Sequence, residues 1–206
     1  MPSFESLLAP RLDEPALGLM VRYAELLERW SARHSLVRFK DREELVQRHI
    51  FDALAGVDFL PGAGDLLDVG SGAGLPGVPL LVMRPRWCGV LLEPRQKRWA
   101  FLRLVSRELG LDAEAVRDRY ENLDPDGRWD RITARAVGGD MALLRWAADR
   151  LRPDGEVMLW TTEGALDGLS TVAGWRVLSS PTVSYTHLTL PTNRVAGGGG
   201  GGGGGG

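Results

Sequence analysis

DLLDVGSGAGLPGVPLL, from Asp65 to Leu81, is an apolar run that ends at Asp68-Val69, meets a cluster of glycines and small residues, and then turns apolar again. Glycine loses more conformational freedom on folding than any other residue, so a cluster of it needs a reason. A buried strand, a turn that lets backbone approach a ligand, and a helix beyond the turn account for the pattern together. The spacing predicts a strand over residues 66–69 and a helix over about 74–83.

The alternation continues toward the C-terminus. Strand-like runs are expected at 89–92, 113–117, 129–134 and 156–160, with helices at about 95–109, 139–151 and 166–173 and a further strand at 175–178. Such alternation means an α/β fold with a mostly parallel, Rossmann-like sheet and helices on both faces. The strands are nearly wholly apolar, as strands buried on both faces are. Toward the N-terminus, residues 15–33 carry Leu17, Met20, Val21, Ala24, Leu27 and Trp30 at helical spacing, with Pro15 suited to the first turn. A second amphipathic helix opens at Asp41, with Glu44 three residues on as a capping box, and continues through Leu45, Ile50, Leu54 and Val57. Residues 1–62 therefore read as an N-terminal helical cap and 63–180 as the sheet-bearing core, with the break at Pro61-Gly62-Ala63-Gly64. Residues 181–206 are expected to be a non-native or disordered tail. They contain SYTHLTLPTNR, which resembles translated adapter sequence, and end in ten glycines. The alternative is a genuine strand at 183–190 followed by a flexible linker.

Composition narrows the function classes. A chain of 206 residues with 44% hydrophobic residues can bury a core as one domain. No uninterrupted apolar stretch is long enough for a membrane span, and the N-terminus lacks the layout of a signal peptide, so a cytoplasmic protein without membrane association is expected. The single cysteine, Cys88, excludes an internal disulfide framework, and no His/Cys cluster stands at metal spacing, so no metal is expected. Cys88 and the seven tryptophans read as core or partly buried residues. Lys40 and Lys97 are the only lysines, so almost all positive charge is arginine, which suits phosphate contacts. With a formal net charge of -2, a nucleic-acid partner would need a local basic patch.

The glycine turn leaves two ligands open. A dinucleotide site wants Gly-x-Gly-x-x-Gly with a pyrophosphate at the helix terminus, but Gly70, Gly72 and Gly74 are spaced Gly-x-Gly-x-Gly. Asp68, two residues before the first of them, would face a phosphate poorly. It suits a cationic group such as the amino-acid part of S-adenosylmethionine, contacted directly or through water. Glu93, at the end of the next strand, can accept hydrogen bonds from both ribose hydroxyls of either ligand.

The segments RHIFDAL, LLDVGSGAGLPGVPLLVMRP, LLEPRQKRWAFLR and ITARAV occur in that order. Over about residues 17–165 the chain resembles the bacterial 16S ribosomal RNA guanine-N7 methyltransferases, also called glucose-inhibited division protein B. The resemblance implies a class I S-adenosylmethionine-dependent fold with an N-terminal helical cap, acting as a monomer on 16S ribosomal RNA or a precursor of the small subunit. Carried over by position, it implies that Gly70, Ser71, Gly72, Ala73, Gly74 and Leu75 line the methionine and ribose part of the cofactor. Glu93 would hold the ribose, and Tyr120 and Glu121 would lie beside the adenine. Arg135 would stand next to the cofactor and the target pocket. Arg48-His49 matches a family pair in the cap and, with Lys97, Arg98 and Arg135, forms the set of RNA-binding candidates.

Each candidate has a plainer reading: Asp68 a strand end, Glu93 a helix N-terminal acid, Arg135 a strand-end ion-pair partner, His49 a packed histidine, Arg48, Lys97 and Arg98 solvated surface. The sequence also departs from the family. Trp30-Ser31-Ala32-Arg33-His34-Ser35-Leu36-Val37 stands where Trp-Asn-x-x-x-Asn-Leu-Thr is usual, and Thr161-Thr162-Glu163-Gly164 where a Lys-Gly pair is usual. Another RNA, a small-molecule substrate, or a binding protein without turnover therefore remain alternatives. Guanine N7 carries an in-plane lone pair and no proton, so methylation there requires no general base, and no catalytic acid or base is nominated.

Overall fold

The computed structural model of the protein describes residues 1–135, 141–160, 176–179 and 185–189. The run before the glycines is strand β1, Gly64–Val69, and its last four residues are buried. It lies among β2 (Trp87–Leu92), β3 (Ala113–Val116), β4 (Trp129–Arg135), β5 (Leu151–Trp160), β6 (Arg176–Ser179) and β7 (Tyr185–Thr189) in the order β3-β2-β1-β4-β5-β7-β6. β1 to β5 pair in parallel. β7 returns antiparallel to β5, and β6 antiparallel to β7. After β1 the chain crosses to β2 on one side and later comes back to β4 on the other. The carboxyl end of β1 is therefore the switch point where loops diverge and a ligand can enter.

Tyr185–Thr189, set aside with the tail on composition, are β7, so a strand lies where the alternative reading of 183–190 put it. The expected helix at 166–173, the Thr161–Gly164 departure and the polyglycine end lie outside the described residues. Two other boundaries differ from expectation. Leu151 opens β5 instead of closing a helix, because Trp129 N–H donates to Arg150 O (2.9 Å) and ties this chain end to the sheet. Cys88 is exposed, its thiol 3.0 Å from Asp112 Oδ2, and is not a core residue.

The helices are α1 (Phe4–Leu8), α2 (Ala16–His34), α3 (Arg42–Glu44), α4 (Phe51–Leu54), α5 (Gly77–Met83), α6 (Gln96–Leu109) and α7 (Met141–Ala148). Asp41 caps α3 by accepting from Glu44 N–H (2.8 Å), as the capping box predicts. The single amphipathic helix expected beyond it is divided by a π-helical turn at Leu45–Ile50. Leu45/Ile50 and Val46/Phe51 are buried pairs five residues apart, and the wider turn keeps both on the inner face. α5 starts at Gly77 and not at Gly74, because Gly70, Gly72 and Gly74 all have left-handed backbone (φ +71°, +57° and +89°) and hold 70–76 in an open turn.

Alternation along β1 sends Leu66 and Asp68 to one face and Leu67 and Val69 to the other. On the first face one apolar cluster runs from the cap through the core, joining Phe4, Met20, Tyr23, Leu27, Ile50, Leu80, Phe101 and Met158. On the other, Leu67, Val69, Ile132 and Val157 pack against Leu143, Leu144 and Ala147 of α7. The cap thus shares its core with the sheet and seats one helix, α2, against the back of the glycine turn.

Candidate active site

Asp68 and Thr133 lie side by side in the paired registers of β1 and β4. The Asp68 carboxylate is fully buried; Oδ1 accepts from Thr133 Oγ1 (2.8 Å) and Oδ2 from Gly77 N–H (3.2 Å). Gly77 can be nothing larger, since a Cβ there would stand 2.6 Å from Asp68 Oδ2 and 2.7 Å from Leu91 Cδ2. Burial pushes the Asp68 pKa up to about 6, opposed by the hydrogen bonds of Thr133, Ser71 and Gly77 and by the Arg135 charge. Asp68 therefore clamps the start of α5 to β4 from beneath the turn. It does not reach the solvent side that the sequence reading offered to a cationic ligand.

The turn above Asp68 is built from inside as well. Ser71 Oγ donates to Asp68 O (2.8 Å), and Ser71 N–H donates to Leu92 O of β2 (3.0 Å). Ala73 and Leu75 belong to the apolar cluster. The hydroxyl of Tyr23, on α2 and wholly buried, donates to Ala73 O at 2.8 Å. Burial raises the Tyr23 pKa well above its ordinary value, so the phenol keeps its proton and remains a donor. Of the small residues predicted to line a ligand, Gly70 is the exposed one, and a Cβ built on it meets nothing within 4 Å. Ser71, Ala73 and Leu75 turn their side chains into the fold, because a turn of this tightness leaves the outer side to backbone.

Glu93 follows β2 and is 3% exposed. Its Oε2 accepts from Gly72 N–H (3.1 Å) and its Oε1 from Arg95 N–H (2.8 Å), with Arg98 Nη1 3.9 Å from Oε2. Two backbone donors fix both oxygens at the mouth of the turn, and each oxygen retains acceptor capacity for a second partner. Gly72, Glu93 and Arg98 are thus brought together at the turn, so Arg98, a candidate for RNA from the sequence, stands against the Glu93 carboxylate instead. Tyr120 and Glu121 lie on the single turn Tyr120–Asn122 beyond β3; Tyr120 packs edge-on against Trp146 (5.2 Å), and Glu121 is exposed.

The profile of the family described as GidB, rRNA small subunit methyltransferase G, matches residues 17–185. The chain belongs to the GidB family. Among relatives, it is 37% identical over 150 residues to the ribosomal RNA small subunit methyltransferase G of Chromobacterium violaceum, covering 72% of each chain. It is 36% identical over 168 residues to the protein of that name from Stenotrophomonas maltophilia, covering 81% of this chain and 79% of the relative. Among solved structures, a methyltransferase of Podospora anserina bound to S-adenosylhomocysteine superposes with a TM-score of 0.58 at 18% identity, covering 87% of this chain and 97% of that one. A ribosomal protein L11 methylase from Lactobacillus delbrueckii subsp. bulgaricus gives 0.59 at 13% identity, covering 74% and 80%. These two likenesses are of fold: the class I methyltransferase architecture, with an N-terminal helical cap here.

In this GidB chain Arg135 and His49 are drawn into the seam between cap and sheet, and Arg48 and Lys97 are not. Arg135, the last residue of β4, pairs with Asp52 of α4 (2.9 Å) and donates to the carbonyls of Arg48 (3.2 Å) and His49 (3.4 Å) in the π-helical turn. It is the strand-end ion-pair partner of the plainer reading, and it fastens the irregular part of the cap. His49 is half-buried, with Nε2 3.2 Å from Arg38 O, and burial, reinforced by Arg135, lowers its pKa. The neutral ring that results is a packed histidine and a poor partner for phosphate. Arg48 pairs with Glu44 one turn back (3.0 Å) with most of its side chain in solvent. Lys97 is exposed on the first turn of α6. Sequence reading missed Tyr23, Asp52, Thr133 and Gly77. Tyr23 alone carried a signal, since it falls three residues after Met20 and four before Leu27 on the buried face of α2. The other three acquire a role only from a partner at least nine residues away.

Proposed function

We propose that this chain transfers the methyl group of S-adenosyl-L-methionine to N7 of a guanine in 16S ribosomal RNA of the small subunit. The observation that carries the proposal is Glu93, a buried carboxylate pinned by the Gly72 and Arg95 amides beside the open face of Gly70. The residues fit the cofactor. Both Glu93 oxygens can take a further donor, as a ribose diol requires, and the Gly70 turn admits backbone contact. When bound, the cofactor supplies an electrophilic sulfonium methyl. Gly70 and Gly72 would hold it through backbone, Glu93 would grip the ribose, and Tyr120 and Glu121 would flank the base. Asp68, Ser71, Ala73, Gly74 and Leu75 act from beneath by fixing the turn. No residue moves a proton from N7, so the contribution of the protein is alignment, which for well-oriented reactants can supply roughly 7–11 kcal/mol. The target base must expose its Hoogsteen edge, which favours an unstacked nucleotide. A place in the cytoplasm, where the small subunit is assembled, follows from this reading. Among the described residues no helix is long and apolar enough to cross a membrane.

The test is methyl transfer from radiolabelled donor to small subunits that lack the modification, with the product nucleotide mapped. Incorporation at a guanine N7 is the expected result. Tight donor binding without transfer to that RNA, or binding of a nicotinamide dinucleotide in its place, overturns the assignment.

Because Tyr23 holds the turn by Ala73 O, Tyr23→Phe is expected to cost about 1–2 kcal/mol of stability by leaving a buried carbonyl without its donor. It is also expected to weaken cofactor binding several-fold while RNA affinity is unchanged. Chemical denaturation and calorimetric titration check the two effects separately.

A further inference from the structure

Away from the glycine turn, the outer face of α6 carries Trp99, Arg103 and Arg107 at intervals of four residues, with Arg95 just ahead of the helix, so they form one stripe along it. Two adjoining hollows of about 520 and 400 Å³ share Trp99, Arg103 and Arg107. The larger has its floor on the edge strand β3, at Ala113 and Ala115. The smaller reaches Trp30 at the end of α2. Between residues 95 and 119 stand seven cations (Arg95, Lys97, Arg98, Arg103, Arg107, Arg117, Arg119) against four acids (Glu108, Asp112, Glu114, Asp118), in a chain whose formal net charge is -2. Glu108 is itself drawn toward Arg22 and Arg107, leaving Glu114 as the acid that lines the hollow.

Ser106, 8% exposed, stands in the wall of the larger hollow with its Oγ enclosed. Trp99 is fixed by donating its indole N–H to Ala115 O (2.9 Å), and Arg103 stacks at 4.9 Å from its ring. The indole therefore occupies Ala115 O at the edge strand β3, and the guanidinium of Arg103 presents a cationic, planar surface over it. Stacked arginine and aromatic side chains with spaced guanidinium groups suit unpaired nucleotides and their phosphates.

We propose that the α6–β3 groove is a docking track for the phosphodiester backbone of a single-stranded segment of the RNA substrate, with phosphates on Arg103 and Arg107. The track begins one turn of helix from Arg98, which touches Glu93, and leads away from the cofactor turn. The proposal rests on the RNA-methylating function argued above.

The experiment compares wild type, Arg103→Gln/Arg107→Gln, Ser106→Ala, and a control, Arg86→Gln/Arg145→Gln, that removes two exposed charges elsewhere. Affinity for a labelled single-stranded RNA oligonucleotide is read by anisotropy across a salt series, donor affinity by calorimetry, and KM for subunits by methyl transfer. The groove double variant is expected to lose at least tenfold in RNA affinity and to raise KM by a similar factor, with donor affinity within twofold. The slope of log affinity against log salt should fall by about 1.4, from roughly 0.7 per phosphate contact on a single strand. Ser106→Ala should leave RNA binding within twofold, since the hydroxyl is enclosed behind the track. The control should stay within twofold of wild type. RNA binding by the groove variant within twofold of wild type overturns the track. So does tighter binding of a polyglutamate peptide than of an RNA of equal charge. If wild type transfers no methyl to RNA, the function fails separately, and the track stands or falls on arginine-dependent RNA binding alone.

Discussion

Replacing Glu93 by Ala is expected to reduce affinity for S-adenosylmethionine by at least a hundredfold. The carboxylate has two jobs, and the substitution removes both. It supplies the acceptors proposed for the ribose hydroxyls, and hydrogen bonds to a charged group contribute about 1.5–3 kcal/mol each. It also holds the Gly72 and Arg95 amides, at 3.1 and 2.8 Å, in a position 3% exposed. Without it those donors lose their acceptor, and the turn loses its tie to the end of β2. Glu93→Gln separates the contributions. It keeps one carbonyl oxygen for one amide but points N–H groups at the other, so an intermediate loss of about tenfold is expected. Calorimetric titration measures all three proteins. Undiminished affinity in Glu93→Ala would place the ribose elsewhere.

Asp68 gives the second large effect, on stability and its pH dependence. Asp68→Ala removes the acceptor of Gly77 N–H and of the Thr133 hydroxyl in a fully buried place, and a cost of about 2–5 kcal/mol is expected. Asp68→Asn should be far milder. The amide oxygen can accept from Gly77 while the amide nitrogen donates to the Thr133 hydroxyl, which is able to accept. Both variants should lose the pH dependence that this carboxyl gives wild type. Burial raises the wild-type carboxyl from 3.8 to about 6 in the native state, so between those values the native protein binds more protons than the unfolded chain. Stability therefore falls as pH rises from about 4 to 6 and is level above, by at most about 3 kcal/mol from this group. Denaturation at pH 4.5 and 7.5 should show that decline in wild type and its absence in Asp68→Asn. Equal slopes would mean that Asp68 does not titrate in this interval.

The strand-turn-helix unit at Asp65–Leu81 was legible because its signals are local. An apolar run too short for a helix, three alternate glycines and a second apolar run leave few alternatives. Four further parallel strands followed from the same contrast, and Glu93 was found because it ends the strand after the glycine turn. The π-helical turn at Leu45–Ile50 was not legible as such. Its five-residue spacing reads as an imperfect four-residue one, and the geometry that accommodates it includes Arg135, 85 positions beyond Ile50. The strand Tyr185–Thr189 was hidden by composition, since threonine-rich sequence beside polyglycine resembles a tail until β5 offers a partner.

Residue order alone determined the α/β class, the parallel sheet, the switch point after β1 and the acid that faces it, because periodicity and glycine placement act over a few residues. Tertiary structure decided which way each polar group points. Asp68 and Ser71 turned inward to hold the turn, Arg135 turned to Asp52 and the cap, Tyr23 reached Ala73, and Arg103 settled over Trp99. A buried polar atom must find a partner wherever the fold supplies one, and that partner lies at no set distance along the chain.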